Sequence, residues 1–294
     1  METQYALGAL GALGSALTWA VISLQVRALA PQLSSVTVNA SRSLLGTVVL
    51  VGWVLVTAGP GAITGMPLRV VGLLWLSVVV ASAVGDTVFF ESTRHLGLAR
   101  AMTLSMVYPL LAALLAALLL GEPLTLPALL GALITLAGIG LIVTGEPGHG
   151  GGDGRFRVGV TAALGAAVAW AVSVILLKAP LGEVDAVAAQ AVRLPAVGVV
   201  LLLGPWGWHS PGELRRGGWR TAVRLALVGA LTALSSVAFV AGVKYAGITV
   251  ATVLSSTAPM FAIPLGMLLL GERPTARSVI GTAITVAGIA VLHA

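Results

Sequence analysis

The chain has 294 residues, of which 58% are hydrophobic and only 9% charged; it contains no cysteine, its formal net charge is +6 and its mean hydropathy is +1.04. A soluble chain of this composition has too few polar side chains to cover its surface, so the sequence reads as an integral membrane protein. Without cysteine it has neither disulfides nor thiolate metal sites, and its basic excess sits in short gaps between apolar runs, where charge sets membrane orientation instead of marking a nucleic-acid partner.

A bilayer core of roughly 30 Å needs about 20 apolar residues per helix. Cutting the chain at clusters of proline, glycine and charge predicts spans over 6–27, 35–57, 68–92, 97–120, 125–144, 157–178, 186–204, 221–244, 248–270 and 275–292. The expected fold class is therefore an all-α integral membrane protein of about ten transmembrane helices. The runs are too long, and too free of period-two alternation, for barrel strands. The first span resembles a signal peptide, with Ala28-Leu-Ala30 as a cleavage-like triplet. Met1 to Tyr5 carries no basic residue, however, and the span recurs internally, so it is expected to be retained.

Taken along the chain, the first span carries Trp19 away from its ends, as a cavity wall or a packing residue. The second carries Asn39 and, one turn on, Arg42. Asp86 lies inside the third, where an ionisable group is costly and faces a cavity or a partner. It is open to two readings: a pathway residue that meets a cation or takes up a proton, or a group that bonds a neighbouring helix or caps a broken one. Glu91 and Arg94, three apart and so on one face, read as an interfacial ion pair. In the fourth span Ser105 precedes Tyr108-Pro109, and proline inside a helix frees a carbonyl and bends or breaks it.

A second copy then begins. Phe89-Phe-Glu-Ser-Thr-Arg-His-Leu-Gly97 through Ala137-Gly-Ile139 aligns without a gap on Phe239-Val-Ala-Gly-Val-Lys-Tyr-Ala-Gly247 through Ala287-Gly-Ile289. Leu17-Thr-Trp-Ala-Val21 likewise matches Val168-Ala-Trp-Ala-Val172. Trp170 thus repeats Trp19, Gln190 and Arg193 repeat Asn39 and Arg42, and Ser255 with Pro259 repeats Ser105 with Pro109. Ser236 stands where Asp86 does, and Pro264 has no proline counterpart. The expected domains are a five-helix unit over 1–144, a glycine-rich linker over 145–156 and a second five-helix unit over 157–294. Five helices per unit invert the second copy in the membrane, which gives the pseudo-twofold geometry that alternating access requires.

The duplicated arginines offer a planar donor fork to a carboxylate or other anion, or else fix helix ends. Broken helices at Pro109, Pro259 and Pro264 mark the region where a transporter binds its cargo. Gly131, Gly138, Gly281 and Gly288 permit close helix approach. The Gly-Glu elements at Gly121-Glu122 and Gly271-Glu272 each end one helix and place an acid near the start of the next. Trp206, Trp208 and Trp219 bracket an arginine-rich loop as an interfacial belt.

Trp19, Gly85-Asp86, Leu96-Gly-Leu-Ala-Arg100, Tyr108-Pro109 and Leu120-Gly-Glu-Pro-Leu-Thr125, with the echoes Ala258-Pro259 and Leu270-Gly-Glu-Arg-Pro-Thr275, resemble the EamA-type branch of the drug/metabolite transporter superfamily. The resemblance spans essentially the whole chain. It implies ten helices in two inverted repeats, a central cavity and secondary transport of small metabolites, amino acids or related solutes across the cytoplasmic membrane. On that reading Asp86, Trp19, Trp170, Tyr108, Asn39, Arg42, Gln190, Arg193, Ser105 and Ser255 are the candidate substrate-binding residues, with proton coupling at Asp86 as one option.

No Walker-type sequence, selectivity filter, cofactor motif or metal-ligand spacing is present, and His95, His149, His209 and His293 are scattered. An intramembrane enzyme using Asp86 and Glu91, or a non-transporting scaffold, is the alternative class, but five residues take the two acids off one helical face. The partners implied are a small solute and the lipid bilayer; the pattern sets no oligomeric state. Gaps after odd-numbered helices hold 11 of the 16 basic residues and the others 3, with Arg42 and Arg193 inside the membrane. That bias puts both termini outside, whereas the family resemblance implies termini in the cytoplasm.

Overall fold

The structure, a computed structural model, describes residues 2–120, 126–144 and 153–292. Glu122 and residues 145–152 of the glycine-rich segment lie outside the described residues. Ten helical segments follow one another: α1 (Glu2–Leu29), α2 (Ser35–Thr57), α3 (Leu68–Leu96), α4 (Leu98–Ser105 and Tyr108–Leu120), α5 (Leu126–Thr144), α6 (Asp153–Lys178), α7 (Ala186–Leu203), α8 (Ser210–Tyr245), α9 (Gly247–Ser255 and Ala258–Leu270) and α10 (Ala276–Leu292). Among the described residues eight of these are long and apolar enough to cross a membrane. α5 and α10 are apolar over 19 and 17 residues.

The helices pair as a twofold-related assembly would. α1 packs on α8 and its equivalent α6 on α3; α1 also packs on α9, and α6 on α4. Two helices meet their own counterparts, α2 against α7 and α5 against α10, so these pairs lie on the pseudo-axis. The last pair is close because both partners offer glycine: a Cβ on Gly138 would stand 2.6 Å from the Thr285 nitrogen, and one on Gly288 2.9 Å from the Gly131 carbonyl. Outside this packing the surface is apolar, with Leu68, Val56 and Leu268 more than four-fifths exposed. Such a surface suits lipid, since the backbone polar groups are satisfied inside the helices.

Three elements depart from the sequence expectation. α3 is α-helical over Leu68–Val78, π-helical over Val79–Asp86 and α-helical again over Thr87–Leu96. Hydropathy carries no trace of this, because the π stretch is as apolar as its neighbours. α8 starts at Ser210, so the arginines expected in a loop lie on a helical turn that ends at Gly218, where a positive φ of 67° redirects the chain into the apolar run. Trp206, Trp208 and Trp219 around it are 65%, 77% and 80% exposed, in keeping with an interfacial belt. Glu272 does not serve the helix that follows it. Gly271 terminates α9 in the left-handed region at φ 67°, and the Glu272 carboxylate instead accepts from the Leu98 N–H at 2.7 Å, capping α4 of the other repeat.

Candidate functional site

Helix α3 is underwound into a π stretch where the two repeats meet, and this brings Asp86 into the bundle. A π stretch leaves carbonyls able to accept from elsewhere. The Ala81 carbonyl accepts from Trp170 Nε1 at 3.1 Å, and that of Ser82 from Asn39 Nδ2. Gly85 allows the approach, since a Cβ there would lie 2.8 Å from Trp170 Nε1. Asp86, 6% exposed, accepts from Trp170 Nε1 at 2.8 Å and forms an ion pair with Arg42.

Arg42, on α2 and 2% exposed, uses all three nitrogens. Nη2 donates to Asp86, Nε to Asn39 Oδ1 at 3.0 Å and Nη1 to Thr232 Oγ1 at 3.2 Å. Its guanidinium also lies 5.0 Å from the ring of Phe90 and 5.5 Å from that of Trp19, a range where a cation is attracted to an aromatic face. Asn39 holds this arrangement from behind, with Nδ2 also donating to Thr87 Oγ1 at 2.7 Å.

The equivalent cation is differently provided for. Arg193 on α7 is 5% exposed and donates through Nη1 to Gln190 Oε1 at 2.8 Å, while its buried Nε has no partner among the described residues. Gln190 Nε2 donates to the Ser236 carbonyl at 3.0 Å, as Asn39 does to Ser82. At the place equivalent to Asp86 there is only the Ser236 hydroxyl, which donates back to the Ala233 carbonyl at 3.1 Å.

Between the two arginines lies a cavity of about 160 Å³. Asp86, Trp19, Trp170, Tyr108, Arg42, Gln190, Arg193, Ser255 and Ser236, the counterpart of Asp86, line it, and so do hydroxyl residues that the sequence reading passed over: Ser15, Ser82, Ser173, Thr232 and Ser235. Every one of these sits within a predicted span, and a run of hydroxyls on facing helices was the available signal. Trp19 and Trp170 meet edge to face across the pseudo-axis, their centroids 5.9 Å apart. Trp19 Nε1, like Arg193 Nε, has no partner among the described residues.

Two candidates stand behind the wall. Asn39 positions Arg42, and Ser105 donates its hydroxyl to the Ala101 and Met102 carbonyls at 2.9 and 3.1 Å. The helix breaks do reach the cavity. α4 is interrupted at Met106-Val107 and α9 at Ser256-Thr257, so Pro109 and Pro259 each fall in the first turn of the second segment, where a missing N–H costs nothing. Tyr108 OH and Ser255 Oγ, at 2.7 Å, join the two breaks. Pro264 lies inside the second segment of α9, which continues to Leu270. Glu91 belongs to a separate surface group, 3.3 Å from Arg94 and 3.5 Å from His95.

Two helical repeats enclosing a cavity that holds three buried charges suit a membrane transporter of the duplicated class. The EamA-like transporter family model matches residues 6–144 and again 157–293, and the chain belongs to that family. A protein of Archaeoglobus fulgidus described as an uncharacterized transporter is 26% identical over 285 residues, 95% of each chain. A solved crystal structure, 20% identical and covering 97% of this chain and 94% of its own, superposes with a TM-score of 0.69 and shares the fold.

Proposed function

We propose that the protein is a secondary active transporter that moves a small metabolite, an amino acid or related solute, across the cytoplasmic membrane. Alternating access between the inverted repeats would expose the central cavity to one face and then the other. One observation carries the reading: a cavity that holds three buried charges is built from equivalent positions of both repeats, Trp19 with Trp170 and Arg42 with Arg193, where the interrupted helices α4 and α9 meet. Exchanging the conformations of two such units changes which side of the cavity is closed without moving the binding groups far.

In this scheme Asp86 is the gate of the charge network. A proton on its carboxylate would remove the counter-charge of Arg42, so protonation and rearrangement of the repeats are coupled through one contact. Solute counterflow in proteoliposomes, with pooled amino acids, nucleosides, sugars, organic acids and organic cations, tests the reading. Exchange of at least one pool, lost in Asp86→Asn protein that still melts cooperatively, supports it. No exchange of any pool by protein that still melts cooperatively would refute it.

A further inference from the structure

The charges that face the cavity do not cancel. Arg42 and Arg193 contribute two positive charges and Asp86 one negative; every other polar group on the lining is an amide, a hydroxyl or an indole. A guanidinium stays charged in proteins, so the site retains one positive charge, and the bonding pattern assigns it to Arg193. Arg42 spends its nitrogens on Asp86, Asn39 and Thr232. Arg193 spends Nη1 on Gln190, and its Nε has no partner among the described residues. Asp86 also attracts Arg193 but forms its ion pair with Arg42, so Arg193 is buried without an ion pair of its own, a costly state that an arriving anion relieves.

From this we infer that the cargo is a small organic monoanion whose carboxylate is held by Arg193, an inference that rests on the transporter reading above. A planar guanidinium edge matches a carboxylate bidentately. One uncompensated charge suits one carboxylate, whereas a phosphate monoester, at about −1.5 to −2 near neutral pH, leaves the site with excess negative charge. The remainder of the solute faces Trp19, Trp170 and the hydroxyls of Ser15, Ser235 and Ser255. A cavity of about 160 Å³ is close in size to one of ~150 Å³ that admits benzene, so it has room for a body the size of a small ring or a short chain.

The test begins with unaltered protein. Thermal stabilisation in detergent and inhibition of counterflow are measured with short aliphatic and aromatic monocarboxylates, each beside its neutral amide, and with a zwitterionic amino acid and a phosphate monoester of similar size. The carboxylates should act at concentrations roughly 10- to 100-fold lower than the amides, the factor that a hydrogen bond to a charged group is worth. Arg193→Gln should abolish that preference and Arg193→Lys keep part of it. Equal potency of acids and amides, or preference for the amino acid or phosphate ester, overturns the inference even if Arg193→Gln fails to fold. Counterflow of neutral or cationic solutes without carboxylate preference would sink the anion site and leave transport standing. Carboxylate binding without any counterflow would do the reverse.

Discussion

Arg42 and Arg193 occupy equivalent places in two copies of one helical unit, yet their surroundings treat the charge in opposite ways. Around Arg42 the second helix of the repeat supplies Asn39, the π stretch of α3 supplies Asp86, and Phe90 and Trp19 close the sides. Around Arg193 the same helix supplies Gln190, but α8 runs unbroken past Ser236 and brings no acid. Both copies thus carry the cation and the aromatic residue, while one copy alone supplies an acid. A cation with a complete set of partners holds structure together; one with an incomplete set can take a ligand.

The largest effect is expected from removing the partner that makes the difference. Asp86→Asn leaves Arg42 charged and buried without its counter-ion, and unfolding in denaturant should show a loss of about 3–5 kcal/mol. Arg42→Gln should cost less, since the Asp86 carboxylate keeps the Trp170 N–H as a donor and the new amide can donate to it. Trp170→Phe keeps the ring but deletes the N–H that Asp86 and the Ala81 carbonyl accept, for an expected loss of about 1–3 kcal/mol by the same measurement.

A fourth change makes the two halves alike. Ser236→Asp installs an acid at the equivalent place, and because the cost of burying a new pair and its attraction nearly cancel, stability should move by no more than about 1 kcal/mol. Monocarboxylate binding, followed by thermal stabilisation, should nevertheless be lost. Arg193→Gln should likewise stay within about 1 kcal/mol of the parent, because it removes a cation that has no ion-pair contact of its own. A loss as large as that of Asp86→Asn would mean that the two arginines are equivalent after all.

The helices, the repeat and the burial of Asp86, Arg42 and Arg193 were legible in the sequence, because an apolar chain with so few charges states its spans and its exceptions directly. Trp19 and Trp170 were visible as a symmetric pair for the same reason. The partnership of Arg42 with Asp86 was not, since it depends on a helix-to-helix distance set by the π stretch at Val79–Asp86, whose composition is no different from an ordinary span. Glu272 misled through proximity: the nearest helix start in sequence is α10, but the one within reach of its carboxylate belongs to α4. Asn39 and Ser105 were legible as polar groups inside spans, although periodicity alone does not say whether such a group faces the cavity or its own helix.

Labelling from the two sides of the membrane tests alternating access at the central cavity most directly. The chain lacks cysteine, so Ser173→Cys places a single thiol on the cavity wall. A membrane-impermeant maleimide is then added to right-side-out and to inside-out vesicles. Alternating access requires labelling from both faces, with both reactions slowed by a bound monocarboxylate. Labelling from one face only, in active vesicles and under every condition of solute, would contradict it.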